Sequence, residues 1–173
     1  MQIGEPRLVD RPEQHYVGVR RRVTMPFDDV VPVAMDKLFD EMKARGIEAV
    51  GPVFFKYNFI NMPELELDFA APVAGSVSPG ANLVLGTLPA GRYAELTALG
   101  HYDRLIEANA ALIDWARNNG IPFDVDETPE GDWFAGRMEI YLNSPEEEPN
   151  SDKWETIVSI RLRDSTTGQP PKS

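Results

Sequence analysis

The sequence predicts an α+β fold made of two pseudo-symmetric strand–helix–strand–strand repeats, with antiparallel sheets and the helices on one sheet face. Three observations carry this expectation. The same order of elements stands on both sides of a Gly-, Ser- and Pro-rich loop, AGSVSPGA at 74–81, which divides the chain nearly in half. Two helix ends echo each other, LFDEMKARGI against LIDWARNNGI. So do Asn61-Met62-Pro63-Glu64 and Asn143-Ser144-Pro145-Glu146, and a shared element order with local echoes marks an internal repeat. One helix for about three strands covers only one face of a sheet. The other face is then exposed, paired with the second repeat, or used.

The first repeat runs over about 14–73. Residues 14–24, QHYVGVRRRVT, alternate as a strand with Val17, Val19 and Val23 on one face. PFDD supplies a helix start with Asp28 or Asp29 as its cap. VVPVAMDKLFDEMKARG then sets Val31, Met35, Leu38 and Met42 along one side. Pro32 is compatible because it lies in the first turn, and Gly46 closes the helix. GPVFFKYNFI and ELELDFAAPV follow as strands, the second with Leu65, Leu67 and Phe69 inward and Glu64, Glu66 and Asp68 outward.

The second repeat runs over about 82–163. NLVLGTLPAGRYAELTALG reads as one broken strand or a short hairpin, punctuated at Pro89-Ala90-Gly91. HYDRLIEANAALIDWARNNG is an amphipathic helix with His101 at its start and Leu105, Ile106, Leu112, Ile113 and Ala116 broadly on one side. Gly120 ends it before Pro122. After an acidic loop come the strands WFAGRMEIYL and KWETIVSIRLRD, with Trp115 and Trp154 read as core. Residues 1–163 form a single domain in this reading, and 164–173 a flexible tail.

Composition narrows the function. A chain of 173 residues with 42% hydrophobic and 26% charged residues is an ordinary globular domain. No apolar run is long enough to span a bilayer, and MQIGEPRLVDRPEQ lacks the features of a secretory signal, which predicts a cytoplasmic protein. There is no cysteine, and His15 and His101 fall in no metal-binding spacing, so neither metal nor cofactor is expected. A net charge of −11 argues against nucleic acid; the one basic run, Arg20-Arg21-Arg22, alternates between strand faces. Such a protein is better suited to attracting cations.

The candidate site lies in RMEIYLNSPEEEP, 137–149. Met138, Ile140 and Leu142 face one way and Arg137, Glu139 and Tyr141 the other. In the last strand Thr156, Val158, Ile160 and Leu162 form the more apolar side, with Glu155, Ile157, Ser159 and Arg161 opposite. Paired as the repeat suggests, Glu139, Tyr141, Glu155 and Ile157 would line one patch away from the helices, where an apolar Ile157 suits a cleft floor. A delocalised organic cation needs aromatic faces and one partly desolvated carboxylate. Tyr16, Phe54, Tyr57, Trp133, Phe134 and Tyr141 are the available rings. The competing reading leaves Glu139 as a solvated strand residue beside Arg137, and Glu146-Glu147-Glu148 as exposed loop charge.

GPVFFKYN, LPAGRYAELTALG, ALIDWARNNGI, RMEIYLNSPEEEP and KWETIVSIRL, in this order, resemble the GyrI-like small-molecule-binding superfamily. It includes the drug-binding domain of the BmrR multidrug regulator and the effector domains of several AraC-type regulators. The resemblance spans about 15–163 and implies a central cleft between the repeats that takes bulky, often cationic, hydrophobic compounds. With no room for a helix-turn-helix module before residue 15, the chain resembles the stand-alone members, a subset of which hydrolyse cyclopropane-containing DNA-alkylating drugs. Where the family's last strand usually carries a pocket glutamate just after the threonine, Ile157 follows Thr156. Glu139 or Glu155 would then take that role.

The resemblance thus implies a binding protein for hydrophobic, cationic small molecules, for sequestration or sensing. Its ligand-binding residues would be Glu139, Tyr141, Glu155, Tyr57, Trp133, Ile157, Phe54 and Tyr16. Two other functions stay open. One is hydrolysis of a strained electrophilic drug, with Glu139 or Glu155 as base and Tyr141 as proton donor. The other is a protein-binding inhibitor with an acidic surface.

Overall fold

The computed structural model describes residues 2–75 and 77–164; apart from Asp164, the expected flexible tail lies outside them. In chain order the elements are β1 (Gln2–Ile3), β2 (Arg7–Arg11), β3 (Gln14–Thr24), α1 (Val30–Ala44), β4 (Phe54–Asn61), β5 (Glu64–Pro72), β6 (Val84–Leu88) and β7 (Gly91–Leu99). A 3-10 turn (Tyr102–Arg104) leads into α2 (Leu105–Asn118). Then follow β8 (Val125–Thr128), β9 (Gly131–Phe134), β10 (Arg137–Tyr141), a second 3-10 turn (Ser151–Lys153) and β11 (Glu155–Arg161). No helix among the described residues is long and apolar enough to cross a membrane.

The strands form one antiparallel sheet in the order β1-β7-β11-β10-β4-β5-β3-β6. Two equivalent triples, β7-β11-β10 and β4-β5-β3, meet at the β10–β4 pair, where Glu139 stands opposite Phe55. This is the repeat read from the sequence. The Asn61–Glu64 echo falls between β4 and β5, and the Asn143–Glu146 echo between β10 and β11. The two sheet ends are exchanged. β2 leads into β3 but pairs with β7, and β6 leads into β7 but pairs with β3. Because β6 and β7 lie near opposite ends of the order with only Pro89 and Ala90 between them, the sheet must curl.

Curling gives the sheet an inner and an outer face, and each has a core. On the inner face Tyr16, Phe54, Ala70, Leu88, Tyr93, Met138 and Ile140 form one cluster drawn from both ends of the sheet. The outer face carries the helices. Ala34, Leu38 and Met42 of α1 pack on Val17, Val19, Leu67 and Phe69. Leu105, Ala108 and Leu112 of α2 pack on Ala94, Leu96, Val158 and Ile160. Both helices stop where glycine takes positive φ, Gly46 at 67° and Gly120 at 67°. There Ile47 N donates to Met42 O and Ile121 N to Ala116 O, each at 2.9 Å, closing the last turn.

Several expectations need correction. Asp29 precedes α1, but its side chain makes no capping hydrogen bond. Ile106 is 69% exposed, because the buried stripe of α2 runs through Leu105, Ala108, Leu112 and Ala116 and Ile106 sits about 100° around from it. WFAGRMEIYL is two strands, β9 and β10, broken at Ala135-Gly136, and the acidic loop before it holds β8. β6 and β7 are a broken strand and form no hairpin with each other. Asp68 does not face solvent. It is fully buried on the inner face, accepting from Tyr16 Oη at 2.6 Å and from Arg20 Nε at 2.7 Å. Leu142 is exposed, and Trp115 and Trp154 are half-buried.

Candidate functional site

Strand register decides which side chains meet. In β10 and β11, Glu139 pairs with Val158 and Ile140 with Ile157. Directly paired residues share a face, and side chains alternate, so Glu139 and Tyr141 lie with Val158 on the helix-bearing side. Across the other edge of β10, Glu139 pairs with Phe55, which places Phe55 and Tyr57 on that side too. These residues occupy the seam between the clusters under α1 and α2, and Tyr141 packs against both clusters.

At the centre is the Glu139 side chain, in a residue only 7% exposed. Its Oε1 accepts from Tyr57 Oη at 2.9 Å and from Tyr141 Oη at 2.7 Å. Its Oε2 accepts from Asn109 Nδ2 at 3.0 Å. Asn109 Nδ2 also donates to Leu105 O at 2.8 Å, so α2 fixes the amide's position. Burial, and then the charge of Glu139, pushes both phenols well above the usual tyrosine range, which keeps them protonated as donors. None of the ion pairs among the described residues involves Glu139.

Aromatic rings wall the carboxylate. Phe55 meets Tyr141 edge-on with centroids 4.7 Å apart, and Tyr141 meets Tyr102 at 5.3 Å. Tyr102 stacks on Trp154 at 4.4 Å. On the far side of Asn109, Arg137 Nη2 donates to Asn109 Oδ1 at 3.2 Å while Cζ sits 4.7 Å over the Phe134 ring. Burial lowers the Arg137 pKa, and the nearby Glu139 opposes that shift. The result is a carboxylate held by neutral donors, flanked by aromatic faces and with a guanidinium one amide away.

Residues 4–163 match the family described as GyrI-like small molecule binding domain. The chain belongs to the GyrI-like family. No match is found among curated proteins. Among solved structures, the C-terminal domain of EcmrR superimposes with TM-score 0.75 at 18% identity, over 94% of this chain and 99% of that one. In the complex of EcmrR with DNA the same likeness covers 93% of this chain but only 58% of the EcmrR chain, with TM-score 0.74 and 18% identity. SAV2435 bound to tetraphenylphosphonium aligns over 92% of this chain and 94% of its own, with TM-score 0.59 and 11% identity. A hydrolase from Listeria innocua aligns over 92% of each chain, with TM-score 0.60 and 13% identity. At these identities the likeness is one of fold.

Within this GyrI-like domain, three of the eight expected ligand-binding residues converge: Glu139, Tyr141 and Tyr57. The other five do not join them. Tyr16 and Phe54 are buried on the inner face in edge contact at 5.4 Å, and Ile157 packs against the same cluster. Glu155 shares the parity of Ile157 and lines an open depression of about 710 Å³ with Gln2, Ile3, Gly4, Thr97 and Leu99. Trp133 pairs with Phe59 and tilts over its ring at 4.7 Å, again on the inner face. The expected single patch of Glu139, Tyr141, Glu155 and Ile157 is therefore wrong. It assumed a register one residue away from the observed one, and a one-residue slip exchanges faces. The GyrI-like seam adds Asn109, Tyr102, Phe55, Trp154 and Arg137. Arg137 was readable from alternation as a neighbour of Glu139 on one strand face, and Asn109 as a polar residue at i+4 from Leu105 on the flank of the apolar stripe of α2.

Proposed function

We propose that this GyrI-like domain binds a hydrophobic small molecule carrying a delocalised positive charge, over Glu139 in the seam between α1 and α2. It would act as a sequestering or sensing protein of the cytoplasm. One observation carries this reading: a buried carboxylate is satisfied by three neutral donors and by no ion pair among the described residues. Taking a carboxylate out of water costs several kcal/mol, and neutral hydrogen bonds offset that only in part. An arriving cation supplies the missing charge, and the faces of Tyr57, Tyr141, Tyr102 and Phe55 supply cation–π and dispersion contacts. SAV2435, a relative in fold, is seen with tetraphenylphosphonium, a compound of this class.

Calorimetric titration with tetraphenylphosphonium tests the reading. Wild type is expected to bind saturably, and Glu139→Gln to bind about tenfold to a hundredfold more weakly, the effect of removing one charge-assisted contact. Equal affinity in the two proteins removes Glu139 from the role. A cyclopropane-bearing electrophile returned ring-opened would instead favour hydrolysis, with Glu139 as base and Tyr141 as proton donor.

A further inference from the structure

A site for a cation alone does not explain Arg137. It stands two residues from Glu139 on the same face of β10, half-buried, where its positive charge opposes the entry of a second one. It feels the charge of Glu139 but makes no direct ion pair with it, since no ion pair among the described residues involves Arg137. Asn109 keeps the two charges apart by donating to Glu139 through Nδ2 and accepting from Arg137 at Oδ1. Because the same amide nitrogen is tied to Leu105 O in α2, the spacer is fixed.

A guanidinium offers five N–H donors in a planar fork. One side-chain hydrogen bond, from Nη2 to Asn109, is made among the described residues, and the Phe134 ring stacks under Cζ. The remaining donors match a carboxylate, which accepts two parallel N–H bonds in the plane of the fork. Two opposite charges, each kept from the other by an anchored amide and each with bonding capacity left, form a complementary pair for a ligand carrying both.

We infer that the seam takes an aromatic zwitterion, with its cationic group over Glu139 and its carboxylate on Arg137. The inference rests on the small-molecule reading of the seam and adds the second recognition element. Glu139 selects for positive charge, and Arg137 selects among cations for those that also carry an acid.

Two dyes separate the two readings. Rhodamine B carries a delocalised cation and a carboxylate; its ethyl ester keeps the ring system and the cation but lacks the acid. In fluorescence-anisotropy titrations of the intact protein at neutral pH, wild type is expected to bind rhodamine B about tenfold more tightly than the ester. Arg137→Gln should weaken the acid alone and abolish the preference, while Arg137→Lys retains part of it, having charge without the fork. Thermal melts confirm that both variants are folded. A wild-type protein that binds the ester as tightly as the acid overturns the zwitterion inference and leaves cation binding standing. Equal weakening of both dyes in the two variants also overturns it, because Arg137 would then serve only to hold Asn109. If neither dye binds, the small-molecule reading of the seam falls, and this inference with it.

Discussion

Two buried carboxylates on opposite faces of one sheet show how partners set a residue's purpose. Asp68 is fully buried and meets Arg20 and Tyr16, a complete ion pair with a hydrogen bond. Glu139 is nearly as buried and meets only neutral donors. The first arrangement closes an ion pair within the fold; the second leaves the carboxylate with neutral donors and no ion pair among the described residues. Burial by itself would raise the Asp68 pKa, but the hydrogen bonds from Arg20 and Tyr16 outweigh it and the net shift is downward. A carboxyl depressed in the folded state contributes stability in full above its unfolded pKa of about 3.9 and loses it as the pH falls through the lower folded value. Asp68→Asn is therefore expected to cost about 2–3 kcal/mol at pH 7, below the usual cost of breaking a buried pair because the Arg20 side chain is 46% exposed and can rehydrate. The gap to wild type should narrow below about pH 4. Urea unfolding at pH 7 and pH 3 checks this, and a gap independent of pH would assign the loss to packing instead.

At the scale of elements, the helices were legible and the strand registers were not. Apolar residues at helical spacing fixed α1 and α2, and Gly46 and Gly120 marked their ends, because a 3.6-residue period and a left-handed stop are local properties of the chain. Ile106 was misassigned to the buried side because five apolar residues span a wider arc than one stripe covers. Leu112→Ala is expected to cost about 3 kcal/mol, since Leu112 is fully buried, whereas Ile106→Ala should stay within about 0.5 kcal/mol. Asp29→Ala should be as mild as Ile106→Ala, in contrast to the usual loss of about 1 kcal/mol at a cap, because Asp29 makes no capping bond. Denaturant midpoints for the three variants measure these differences together. β1, β2 and β8 escaped notice because they are short and largely exposed and show no alternation. The site was legible in part. Alternation isolated Glu139 and Tyr141 from Met138 and Ile140, but which face they shared depended on a register that only the pairing of β10 with β11 and β4 decides.

For the whole molecule, the repeat was readable from element order, but the exchange that binds the repeats was not, because it is a property of distant pairing. Each half sends a strand to the other: β2, just before the first repeat, pairs with β7, and β6 of the second half pairs with β3. The 74–81 loop that divides the sequence therefore does not divide the structure. A first half standing alone would expose the free edge of β3 where β6 belongs and the edge of β4 where β10 belongs. A second half alone would expose β7 and β10 in the same way, and unpaired edges beside apolar surface favour aggregation. The seam around Glu139 would be split as well, with Tyr57 on one piece and Glu139, Asn109 and Tyr141 on the other. Fragments 1–77 and 78–173 produced separately are expected to be unfolded or aggregated by circular dichroism and size exclusion. Produced together, they should copurify one to one with the far-ultraviolet spectrum of the intact chain, and removing residues 1–11 from the first should weaken that association by deleting β1 and β2. Two halves that each fold as monomers with cooperative melts would show that the exchanged strands are appendages, and that each repeat holds its own core without them.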